Sequence, residues 1–197
     1  MNTTFRIGFI FCLLVLSGCV STAVQAPLVQ PAQGTLGAKE VVVDNPTSAE
    51  KFNQNYFIPL PMANSIALDL AKRFPSIQIV RPQHYQTVTR PMQRSNLLFS
   101  PSGAAGDYVE LQLEVTSWNP GNAVARWLTS GISNSGEASL SVKATVVKVS
   151  ADGTKSPPLA QSVFTTASTG NLLVTGNAQT PWARAASEIA KWVGNQL

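Results

Sequence analysis

The sequence predicts an α+β fold, with a mostly antiparallel sheet and two main helices packed on one of its faces. Three observations lead to it. Two long runs, "DYVELQLEV" and "EASLSVKATVVKV", alternate apolar and polar residues as half-buried strands do. Two other stretches, one from Met62 and one after Thr180, repeat apolar residues at helical spacing. The predicted strands mostly follow one another across turns rather than alternating with helices, which places the helices together on one face.

The chain opens with "MNTTFRIGFIFCLLVLSGC", whose single charge is Arg6. The apolar run from Ile7 to Leu16 falls short of the roughly 20 residues that span a bilayer and has the length of a secretory signal's apolar region. Leu16-Ser17-Gly18-Cys19 then has the form of a bacterial lipobox. Small side chains admit the peptidase at the bond between Gly18 and Cys19, and the thiol becomes the thioether that carries the diacylglycerol. Residues 1–18 are therefore expected as a signal peptide and Cys19 as the lipidated (palmitate-type) first residue. Val20 and Ser21 offer no aspartate, the residue that retains enterobacterial lipoproteins at the inner membrane, so the expected location is the outer membrane, facing the periplasm. The second cysteine, Cys12, leaves with the signal, so the mature domain has neither thiol nor disulfide and is held by its core alone.

Residues 19–38 contain no charge and are biased toward Pro, Gln and Ala, which reads as a flexible tether of up to ~60 Å at ~3.3 Å per residue. Whether that tether reaches toward a partner or is a slack spacer is open at this level. Residues 39–197 form the periplasmic domain, long enough for one core. Val41-Val42-Val43 reads as a short buried strand ending at Asp44, Asn45 and Pro46. From Met62, the residues Ile66, Leu70 and Phe74 with Ala63, Ala67 and Ala71 form a helix face closed by Pro75. Ile77 to Val80 is a second strand.

Residues 81–94 hold Arg81, Arg90 and Arg94 with His84 and Tyr85 and no acid. This segment is either a basic strip toward an anionic partner or an irregular connection with solvated arginines. Asp107 to Val115 follows as a strand with Val109, Leu111, Leu113 and Val115 inward and Tyr108, Glu110, Gln112 and Glu114 in water. In the next strand Val147 and Val149 fall on the opposite face from Val146, a slip that reads as a bulge or a strand end. Asp152-Gly153 predicts a hairpin, and the run from Leu159 the returning strand. Thr180-Pro181 opens the last helix, with Trp182, Ala185, Ala186, Ile189, Trp192 and Val193 along one stripe. The two tryptophans read as core residues rather than as a ligand cage.

Chemistry is sparse. Charged residues make up 12% of the chain, against about 25% in an ordinary soluble protein. "GISNSGEA" has the glycine spacing of a phosphate loop at Gly131 and Gly136, but Glu137 and Ala138 stand where lysine and Ser/Thr are needed, and a strand follows instead of a helix. It reads as a polar hairpin connection. His84 is the only histidine, so any Ser-His-Asp arrangement must use it; no G-x-S-x-G elbow occurs, and a lone histidine in a polar loop reads as a surface residue. The acids are scattered, so no metal or other cofactor is expected, and export argues against nucleic acid. A glycosidase needs just two carboxylates, for which Asp107 with Glu110 or Glu114 are the nearest candidates. The expectation is a non-enzymatic module, with a glycan hydrolase or glycan-binding protein as the alternative. Arg126-Trp127-Leu128 is a candidate partner contact, since Arg and Trp dominate interface hot spots; Trp127 packing into the core is the other reading.

The alternating strand at Tyr108, then Arg126, Leu128, Gly131 and Gly136, then "ASLSVKATVVKV", Asp152-Gly153 and the closing helix resemble a bacterial lipoprotein family, domain of unknown function 4410. The glycine loop is longer here, and Ser133-Asn134-Ser135 stand where the family has a hydrophobe and glycine. The resemblance implies a fold like the TolB N-terminal domain and work through binding other envelope proteins.

Overall fold

A computed structural model describes residues 20–24, 36–48, 59–82, 95–99, 106–119, 121, 138–168 and 181–197. The chain is an α+β protein. Its strands are β1 (Val20–Val24), β2 (Glu40–Val43), β3 (Thr47–Ser48), β4 (Gln78–Arg81), β5 (Leu97–Phe99), β6 (Tyr108–Asn119), β7 (Ala138–Val149) and β8 (Ala160–Ser168). Its helices are α1 (Pro59–Arg73) and α2 (Pro181–Gly194). The strands form one sheet in the order β1-β8-β7-β6-β2-β4-β5, with β3 also paired to β6.

The sheet is mixed. Its long half, β1, β8, β7 and β6, is antiparallel, with β6, β7 and β8 forming the predicted meander. Its short half is parallel: β2 pairs with both β6 and β4, and β4 pairs with β5. Parallel neighbours require a crossover, and α1 supplies it between β2 and β4. β3 continues the edge of β2 along β6 after an interruption at Asp44–Pro46, where proline has no N–H to give a ladder.

The alternation in β6 is realised as read. Val109, Leu111, Leu113 and Val115 are buried against the helices with Leu140, Val142, Ala144 and Val146 of β7. From α1, Met62, Ile66 and Leu70 join them, and from α2, Ala185, Ile189 and Val193. Small residues on both helices, Ala63, Ala67, Ala186 and Ala190, are also buried and permit close packing. At the helix ends a Cβ on Gly194 would meet the Phe74 ring at 2.9 Å, so that position takes nothing larger than glycine without movement. Trp192 meets Phe164 edge to face at 5.7 Å, and Trp182 also packs on this core. Both tryptophans are core aromatics, as the helical spacing predicted.

Three sequence expectations change. The run 19–38 is not a tether throughout: Val20 to Val24 pair antiparallel with Ser168 to Phe164, and Leu36 packs against the core. The slip at Val147 is no bulge in β7, which keeps register with β6 to Val149, and of the two readings it matches the strand end, since the ladder with β8 stops at Val146. The irregularity lies in β6, between Val115 and Ser117, while Val147 and Val149 are buried on the face away from the helices. Arg81 is neither an exposed strip residue nor a solvated loop arginine; it ends β4 and is 2% exposed. The predicted turn at Asp152-Gly153 is present, with Gly153 at φ 84 and the Thr154 N–H bonded to Asp152 Oδ1.

Candidate functional site

The three carboxylates on β6 or beside it are each engaged. Asp107 pairs with Lys148 at 3.0 Å and accepts the Ala151 N–H at 3.1 Å. Those contacts, Lys148 first, hold its carboxyl below the usual aspartate value. Glu110 is 5% exposed, so it is a buried residue and not a wet one. It pairs with Lys155 at 2.7 Å and accepts a Gln112 amide hydrogen at 2.7 Å. The same pairing raises the pKa of Lys155. Glu114 is paired with Lys143 directly across the strand.

Spacing adds a second constraint. Asp107 stands three residues before Glu110, about 10 Å at ~3.4 Å per residue, and seven before Glu114, about 24 Å. Glycosidase pairs stand no more than about 9.5 Å apart. A general acid also needs a raised pKa, and Asp107 is moved the other way. The pairs Glu110–Lys155 and Glu114–Lys143 lace the face of the sheet away from the helices. Gln161 Nε2 to Thr145 Oγ1 and Ser141 Oγ to Thr165 Oγ1, each 3.0 Å, extend this polar lacing across β7 and β8.

Arg81 makes the second cluster. Its Nε donates to Asn64 Oδ1 at 3.1 Å, one terminal nitrogen to the Val43 carbonyl, and the other to Asn45 Oδ1 at 2.9 Å. Burial lowers its pKa to about 10 while Asp44 opposes the change, so it is a cation at neutral pH. It joins α1, the end of β2 and the turn after it. Asn96 performs the same task at the other end of α1, where its amide reaches the carbonyls of Ala71, Phe74 and Ile77 at 3.0–3.1 Å. Asn96 is not legible in the sequence, because a lone Asn before a three-residue strand has no periodic signal around it.

The lipobox residues Gly18 and Cys19 lie outside the described residues, as do His84, Arg90, Arg94, Arg126, Trp127, Leu128, Gly131 and Gly136. The chain carrying Arg126 to Leu128 leaves β6 at Asn119 and re-enters at Ala138. That sheet end also holds Val20, the residue after Cys19, and the start of α2, where Thr166 Oγ1 donates to the Pro181 carbonyl at 2.8 Å. Among the described residues no group of three His, Cys, Asp or Glu is placed to hold a metal, and no helix is long and apolar enough to cross a membrane.

No family model and no curated protein matches the chain. Among solved structures it is similar to the PelC dodecamer from Paraburkholderia phytofirmans, at 14% identity and TM-score 0.43 over 91% of this chain and 97% of that one. A point variant of the same dodecamer gives 15% identity and TM-score 0.44 over the same shares.

Proposed function

We propose that this chain is an outer-membrane lipoprotein whose periplasm-facing domain is a non-catalytic module that binds another envelope protein. Cleavage after Gly18 and acylation of Cys19 would anchor it. The observation that carries the reading is the pattern Leu16-Ser17-Gly18-Cys19 at the end of the apolar run from Ile7 to Leu16. The engaged state of Asp107, Glu110 and Glu114 favours binding over the glycan-hydrolase alternative.

The contact we assign is Arg126-Trp127-Leu128. A photo-reactive residue in place of Leu128 should yield one discrete protein adduct in intact envelopes, lost when Arg126→Ala and Trp127→Ala are combined. Cell-wall digestion that disappears in the triple variant Asp107→Asn, Glu110→Gln, Glu114→Gln would instead establish the hydrolase.

A further inference from the structure

The sheet has two lateral edges, β5 on one side and β1 on the other. An edge strand presents a row of backbone N–H and C=O groups, and folds blunt such edges with very short strands, charged residues, proline or bulges. β5 follows the first of these rules, with three residues. β1 follows none of them. Val20–Val24 holds five residues without a charge or a proline, and Val20, Thr22 and Val24 are β-branched. Its register with β8 runs unbroken from Val20↔Ser168 to Val24↔Phe164, so no bulge turns it away. Among the described residues no strand pairs with its outer side.

The order of residues in β1 says what fits there. Read about Thr22, the run Val-Ser-Thr-Ala-Val is nearly the same in both directions. A two-fold axis through the sheet at Thr22 sets a second β1 antiparallel beside the first. Val20 then stands opposite Val24, Ser21 opposite Ala23, and Thr22 opposite its own copy. That is the self-complementarity a two-fold contact requires, and Thr–Thr is among the stabilising cross-strand pairs. Five residues paired in this way exchange about four to six backbone hydrogen bonds. The axis keeps the helices of both copies on one face of the joined sheet. α2 packs over β7 and β8, and the two β8 strands stand about 14 Å apart at ~4.8 Å per strand. Packed helices lie about 8–10 Å apart, so the two copies of α2 leave room for the join. Pairing β1 with β5 of a second copy would match five residues with three.

We propose that β1 is a dimerisation edge, at which two copies of this chain join antiparallel about Thr22 into one continuous sheet. The join involves neither Arg126-Trp127-Leu128 nor acylation of Cys19, so it stands or falls apart from the function proposed above.

The test is disulfide trapping in the full-length chain in detergent solution. Cys12→Ala and Cys19→Ala remove both native thiols, so an added cysteine is the only one. Position 22 stands about 4.5–5.5 Å from its own copy between Cα atoms, within disulfide reach. Position 20 stands opposite position 24 and about 14 Å from its own copy, beyond that reach. Oxidation should therefore give several-fold more covalent dimer for Thr22→Cys than for Val20→Cys or Val24→Cys alone, and mixing the last two should restore it. Charge checks the same register. Ser21→Lys with Ala23→Lys, which sets lysine opposite lysine twice, should abolish trapping at position 22. Ser21→Lys with Ala23→Glu, which sets lysine opposite glutamate, should recover it, and that recovery separates a lost dimer from a lost fold. No dimer at position 22, equal yields at positions 20, 22 and 24, or the same response to both charge variants would overturn the pairing.

Discussion

The two halves of the sheet solve one problem by different means. β6 and β7 are each 12 residues long, and their ladder with β8 supplies many backbone bonds and a full row of cross-strand side-chain pairs. β2, β4 and β5 have three or four residues each. Strands that short bring little ladder of their own. Their ends are held instead by two polar side chains, Arg81 at the Val43 end and Asn96 at the end of α1. Long strands distribute stability over replaceable contacts; short ones concentrate it in single residues.

That contrast is sharpest at Arg81. Arg81→Ala should cost about 2–4 kcal/mol, because buried acceptors are left without their donor as well as the side chain's packing being lost. Arg81→Met, which keeps most of the volume, should lose less. Urea midpoints at constant m-value measure both, and a change within error for Arg81→Ala would remove the distinction between the halves.

Asn96→Ala should cost less, about 1–2 kcal/mol, since its three carbonyl acceptors are only part-buried. Hydrogen exchange should show the effect first at the Phe74 and Ile77 amides, which close the end of α1. In the long half, Glu114→Gln breaks the pair with Lys143, both about one-third exposed. Solvent screening holds that loss to about 0.5 kcal/mol or less. A loss as large as that of Arg81→Ala would reverse the comparison.

The smallest effect is one of pH. Asp107 has a folded carboxyl below the ordinary value of 3.8, through Lys148 and the Ala151 N–H. Its contribution is therefore present above that value and lost as pH falls through the lower, folded one. Wild type should exceed Asp107→Asn in stability at pH 7, and the gap should narrow below pH 3.8. Paired urea titrations at pH 7 and in acid read it; a gap that widens in acid would contradict the assignment.

How much the sequence revealed follows the same division. β6, β7, the Gly153 turn and α2 were legible because period and turn chemistry persist over ten residues or more. β3 and β5 were not, since two or three residues carry no period. The parallel pairing was missed because alternation reports which face is buried and not which way the neighbour runs. Arg81 was misplaced because a basic residue before a proline looks like a loop, and only the fold shows that Asn45, Asn64 and a free carbonyl meet it there. The candidate site divides likewise. Cys19 rests on a local pattern that needs no fold to be read, whereas the Lys155 partner of Glu110 lies 45 positions away. β1 was hidden because "VSTAV" is short and leads into a proline- and glutamine-rich run that resembles a linker.

The central claim is that Cys19 is acylated and holds this domain on the outer membrane. Metabolic labelling with an alkyne fatty acid, followed by envelope fractionation of wild type and Cys19→Ala, tests it most directly. Labelled wild-type protein should sediment with outer membrane, and Cys19→Ala should be unlabelled and either soluble or retained unprocessed. An unlabelled wild type, or a Cys19→Ala variant that is labelled and stays with outer membrane, would contradict it.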